Sequence, residues 1–222
     1  MGRPPRADEA GGIYHALNRG NARHDIFFED ADFEAFEHLI AEGLQKFPVD
    51  LIAYQWMSNH WHMVLSPQVD GGMSAFLGWI TLTHTQRYHA HHGTAGYGHV
   101  YQGRYKSFPV QDDDHFHVVC RDVERNAFTA NLVKQAEAYR WGSLSNWLGG
   151  ESPIELAPWP VRRLPRWVDR VNQALSEKEL KALRHSVTRN LPFGDEKWTM
   201  ATAKRLGLES TTRPRGRPKK LA

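Results

Sequence analysis

Two imidazoles spaced two residues apart, His60 and His62 in Tyr54-Gln-Trp-Met-Ser-Asn-His-Trp-His-Met-Val-Leu65, are the part of this sequence best arranged for chemistry. Side chains at i and i+2 of a strand share a face, so the pair can converge on one ion while Trp61 turns to the opposite, core side. The spacing alone is not specific, because the chain carries 13 His and ordinary strand histidines meet the same pattern. His89, His91, His92 and His99 show no regular ligand spacing, and no second metal site is expected from them.

The elements that must position the pair are legible from periodicity and turn chemistry. Residues 12–18 read as a first strand, closed by the turn signal Asn18-Arg-Gly-Asn21. A helix follows, with Asp30 or Asp32 as its cap, Phe33, Phe36, Leu39, Ile40, Leu44 and Phe47 on one face, and Pro48 at its end. Residues 49–57 and 60–66 form a hairpin joined tightly at Ser58-Asn59, with the His pair on its second arm. A helix over 74–88 buries Phe76, Leu77 and Ile80. Residues 90–98 read as a Gly- and His-rich loop and 104–111 as a further strand. Asp112-Asp113-Asp114 opens a helix reaching Asn126 or beyond, with Phe116, Val119 and Val123 as its apolar stripe and Asp122 and Asn126 together on a neighbouring line. Trp141 and Trp147 close this unit near residue 148. Beyond it, prolines mark irregular chain, Ser176-Glu-Lys-Glu179 is a capping box, and a helix over 195–206 stops at Gly207. Two short helices before a basic tail permit a small helix-turn-helix-like unit.

The chain has 222 residues, 41% hydrophobic and 24% charged, which is globular and long enough to bury a core. No run approaches the roughly 18 apolar residues of a membrane span, and no apolar stretch follows Met1-Gly-Arg-Pro-Pro-Arg6 to make a signal peptide. The single Cys120 cannot form an internal disulfide, which points to a reducing cytoplasm. Net charge is only +3, but Arg213, Arg215, Arg217, Lys219 and Lys220 crowd a C-terminal end with no acidic residue. Such a tail favours a polyanion.

Four stretches, taken in order, resemble the single-tyrosine HUH transposases, and among them the transposases associated with repetitive extragenic palindromes (REP). They are Tyr14-His-Ala-Leu-Asn-Arg-Gly-Asn21, Trp56-Met-Ser-Asn-His-Trp-His62, Gly98-His-Val-Tyr-Gln-Gly-Arg-Tyr-Lys-Ser107 and Cys120-Arg-Asp-Val-Glu-Arg-Asn126. The resemblance implies an α+β, ferredoxin-like antiparallel sheet with helices on one face, plus a small helical C-terminal segment and a basic tail. The corresponding division is a basic arm at 1–10, an HUH domain at 11–148, a helical segment at 149–208 and a tail at 209–222. It implies Mg²⁺ or Mn²⁺ held by His60, His62 and Asn126, and a single-stranded DNA hairpin as partner. It also implies a monomer or homodimer, located in the cytoplasm on the nucleoid.

One position departs from that family. Its nucleophile is a tyrosine one helical turn before the third ligand, and here that position holds Asp122, with the flanking residues fitting without a gap. A carboxylate is shorter than a phenol, its attack on phosphorus yields a labile acyl phosphate, and its charge repels the phosphate. The expectation is binding without covalent cleavage, unless Asp122 turns to the ion as a further ligand or activates water for hydrolysis. Arg3, Arg6, Arg19, Arg104 and Lys106 are expected DNA contacts. So are Arg213, Arg215, Arg217, Lys219 and Lys220, either as an AT-hook-like minor-groove reader or as a nonspecific phosphate-binding tail.

Overall fold

The computed structural model describes residues 6–213. In chain order the elements are β1 (Ile13–Arg19), α1 (Asp30–Lys46), β2 (Val49–Met57), β3 (His60–Pro67), α2 (Gly72–His92), β4 (Lys106–Val110), α3 (Asp114–Glu124) and α4 (Asn126–Thr129). Then come α5 (Ser143–Trp147), α6 (Trp167–Asn172), α7 (Glu177–Arg189), α8 (Glu196–Arg205) and α9 (Glu209–Thr212). The sheet order is β2-β3-β1-β4 with every neighbour antiparallel, the split βαβ arrangement of ferredoxin-like folds. Among the described residues no helix is long and apolar enough to cross a membrane.

The two long helices cover one face, as expected. Phe36, Leu39 and Ile40 of α1 and Phe76, Leu77 and Ile80 of α2 pack on Tyr14, Trp56, Trp61 and Met63. The other face is covered as well. Val64, Phe108 and Val110 are apolar on that side and cannot be left to water, so α3 and the C-terminal segment bury them through Phe116, Val119, Trp167, Val171 and Leu183. The segment after residue 148 therefore packs on the sheet domain. Phe193 pairs with the edge strand β4, its N–H donating to Pro109 O (2.8 Å) while Gln111 N–H donates to Phe193 O (2.9 Å). The buried Glu124 carboxylate accepts from Trp167 Nε1 (2.6 Å) and Ser143 Oγ (2.8 Å), tying α3 to α5 and α6.

Several local expectations shift for identifiable reasons. The N-cap position of α1 is Glu29, and Asp32 works from within the first turn, its Oδ2 accepting from Phe28 N–H at 2.7 Å. Helix α2 is longer than 74–88, running from Gly72 to His92. Its stop is Gly93, in the left-handed region at φ 62°, which takes residues 90–92 out of the expected loop. Asp113 caps α3 by accepting from His115 N–H, and the helix breaks at Arg125 before α4 resumes. Trp141 is buried and stacked on Phe33, whereas Trp147 is 47% exposed under the Arg163 guanidinium. Ser176 and Asp195 cap α7 and α8 as their sequences predict.

Candidate metal centre

The hairpin turn that presents His60 is gripped from β1's exit loop. Gly20 N–H donates to Asn59 O (2.8 Å), and Ile26 and Phe27 N–H both donate to Ser58 O (2.7 and 3.0 Å). A Cβ on Gly20 would sit 2.1 Å from His24 O, so the Arg-Gly pair of the turn signal is a demand for close backbone approach.

Cross-strand register then assembles a face. Directly opposed residues share a side of the sheet. Arg19, His60 and Met57 form one row, and Lys106, Leu17, His62 and Gln55 form the next. The second row needs a bulge in β2, where the register shifts between Leu51 and Ala53 and so brings Gln55 level with His62. Gln55 is 1% exposed and, with its amide turned to satisfy both ends, donates to Val123 O (3.1 Å) and Glu124 O (3.2 Å). That clamp fixes the end of α3 over the His pair. The break at Arg125 follows, and the amide of Asn126 reaches 3.5 Å from His62 Nε2 and also bears on His60.

Both imidazoles are held from behind. His60 Nδ1 lies 2.6 Å from Asn59 Oδ1, and His62 Nδ1 lies 2.9 Å from Nε2 of His15, a fully buried residue of β1. Burial lowers the His60 pKa to about 4, the Arg19 charge adding to the effect, and lowers His62 well below the ordinary histidine value. Both rings are therefore neutral near pH 7 with lone pairs to offer. Two neutral imidazoles and a side-chain amide brought together fit a divalent ion. The stretch 14–21 that carries the family resemblance includes His15, but only the β1–β3 register puts that ring behind His62.

The other expected contacts divide. Arg19 and Lys106 flank the His pair on its own face. Arg6 and Arg104 line a cavity of about 620 Å³ with Asn18, Ser74, Tyr101 and Tyr105, the Arg6 guanidinium lying 3.9 Å over the Tyr105 ring. Arg213 ends the described chain, its carbonyl accepting from Arg189. Arg3, Arg215, Arg217, Lys219 and Lys220 lie outside the described residues. Contrary to the spacing argument, His91 and His92 do meet a carboxylate: with Asp32 they place three donor atoms within 4.8 Å of one another.

Asp122 and Asn126 do not share partners. The charges that bear on Asp122 are those of Arg125 and Arg184, and burial raises its pKa to about 6 from the usual 3.8. A raised native pKa means that the native state binds the proton more readily than the unfolded chain. The contribution it makes below about pH 3.8 is thus lost as pH rises through about 6. Asp122→Asn should therefore stabilise the protein at pH 8 by on the order of 1–3 kcal/mol and have little effect near pH 4. Urea unfolding at the two pH values checks this, and an equal effect at both would show that the carboxylate is not desolvated.

Residues 10–126 match the family described as "Transposase IS200 like". The chain belongs to that family of transposases. Its fold is similar to that of a solved REP-associated tyrosine transposase bound to a REP hairpin, with TM-score 0.56 at 13% identity over 80% of this chain and 100% of that one. A transposase candidate from Deinococcus radiodurans R1 is more distant, with TM-score 0.39 at 14% identity over 59% of this chain and 95% of that one. No curated protein matches the sequence.

Proposed function

We propose that this transposase-family chain binds a palindromic hairpin in single-stranded DNA and holds Mg²⁺ or Mn²⁺ at His60, His62 and Asn126, but does not cleave through a covalent intermediate. The observation that carries the reading is the convergence of these three side chains on one sheet face, flanked by Arg19 and Lys106, with Asp122 one turn earlier. The ion, when bound, would polarise a phosphodiester. Imidazole donors favour Mn²⁺ over Mg²⁺. The chain's own residues would supply phosphate contacts at Arg19 and Lys106 and a groove with a basic rim at Arg6 and Arg104.

Of the tyrosines that could replace the missing nucleophile, Tyr88, Tyr101 and Tyr105, the last two are committed elsewhere. Tyr101 Oη is bonded to Trp61 Nε1 (3.2 Å) and His84 Nδ1 (2.7 Å), and Tyr105 Oη donates to Ser74 (3.1 Å). Burial raises the pKa of both. A second reading, hydrolysis with Asp122 as general base, draws on that residue's pKa near 6. It predicts cleaved DNA with no protein attached.

Binding is tested by mobility shift with stem-loop oligonucleotides taken from palindromes near the gene and with unpaired strands of equal length. The stem-loop should bind more tightly, and equal binding would overturn the reading. Truncation after Thr212 removes five cations, so the slope of log affinity against log salt should flatten by about 3.

A further inference from the structure

His15 is fully buried, and the Phe108 ring sits edge-on against it at 5.1 Å. Its Nε2 is 2.9 Å from His62 Nδ1, while its own Nδ1 is buried without a partner. Two neutral rings share one proton across that contact, so two arrangements exist. With the proton on His15 Nε2, His62 carries its hydrogen on Nε2, pointing at the Asn126 amide and at the face where an ion would sit. With the proton on His62 Nδ1, the His62 Nε2 lone pair is free, the Asn126 N–H can donate to it, and the spare hydrogen falls on His15 Nδ1.

The second arrangement matches what His60 does. Its Nδ1 faces Asn59 Oδ1, which accepts only, so His60 too keeps its hydrogen on Nδ1 and its lone pair on Nε2. We infer that His15 is a positioning residue that accepts the His62 Nδ1–H, fixing the tautomer and ring direction that leave Nε2 to a divalent ion. This rests on the reading of His60, His62 and Asn126 as an ion site. The hydrogen then falls on the buried, unpartnered Nδ1 of His15, a cost set against the Nε2 lone pair that it frees on His62. A histidine as the backing acceptor is neutral, so the ion site gains orientation without a further negative charge.

The test uses the full chain labelled with ¹⁵N, read by long-range ¹H–¹⁵N correlation of the His62 ring, together with Mn²⁺ binding followed by electron paramagnetic resonance. The ion-free protein should show His62 protonated at Nδ1. His15→Phe removes the acceptor and should weaken Mn²⁺ binding about 10- to 100-fold, whereas His15→Gln, whose Oε1 can still accept, should stay within about threefold. Finding His62 protonated at Nε2 in the unaltered chain would overturn the assignment, whether or not the variants fold. So would a folded His15→Phe protein with unchanged tautomer and affinity. His60→Ala separates the two readings: if it leaves Mn²⁺ binding intact, the ion site has failed, while the tautomer spectrum still decides the role of His15.

Discussion

Asp122→Tyr, incubated with a single-stranded palindrome that the protein binds and with Mn²⁺, should yield a protein–DNA adduct that survives boiling in detergent, while the unaltered chain stays at background. A phenol extends several atoms beyond a carboxylate from the same backbone position and forms a phosphodiester that persists. The surroundings already suit it: burial that raises the Asp122 pKa penalises a carboxylate and would not penalise a neutral phenol, and Arg125 and Arg184 supply compensating charge once it ionises. His62→Ala in the Asp122→Tyr background should return the adduct to background, since the His pair holds the activating ion in the proposed site. An adduct from the unaltered chain would mean that the nucleophile lies elsewhere. Binding by both proteins with an adduct from neither would make the domain a DNA-binding regulator, and released DNA fragments without an adduct would favour hydrolysis.

The largest stability effect should come from Trp61→Ala. Trp61 is fully buried between the sheet and the long helices, and its Nε1 donates to Tyr101 Oη at 3.2 Å. Truncating such a residue costs about 3–5 kcal/mol, a large share of a domain's 5–15 kcal/mol. The residue also separates His60 from His62, so the collapse that follows should loosen both rings and weaken Mn²⁺ binding along with stability. Trp61→Phe keeps most of the ring volume and should lose roughly half as much. Urea unfolding measures both variants, and a loss below about 1 kcal/mol for Trp61→Ala would show that the hairpin is not seated on this core.

Features whose physics is local are legible from the amino-acid order alone. Strand alternation and a two-residue turn set the β2–β3 hairpin and placed His60 and His62 on one side of it with Trp61 on the other. Side-chain caps at Asp113, Ser176 and Asp195 set where α3, α7 and α8 begin. Tertiary structure decided whatever depends on register or on contacts between distant segments. The bulge that aligns Gln55 with His62 is one extra residue with no turn signal of its own. The pairing of His15 with His62 spans 47 residues of sequence, and a buried histidine on a strand looks the same whether it backs a metal ligand or fills a core. The meeting of Asp32 with His91 and His92 follows from the packing of α1 on α2, which ligand spacing along the chain does not encode. The cover on the second face of the sheet comes from a proline-rich segment without strong periodicity. It was invisible to pattern reading because its packing is specified by the apolar residues of β1, β3 and β4 that it must bury.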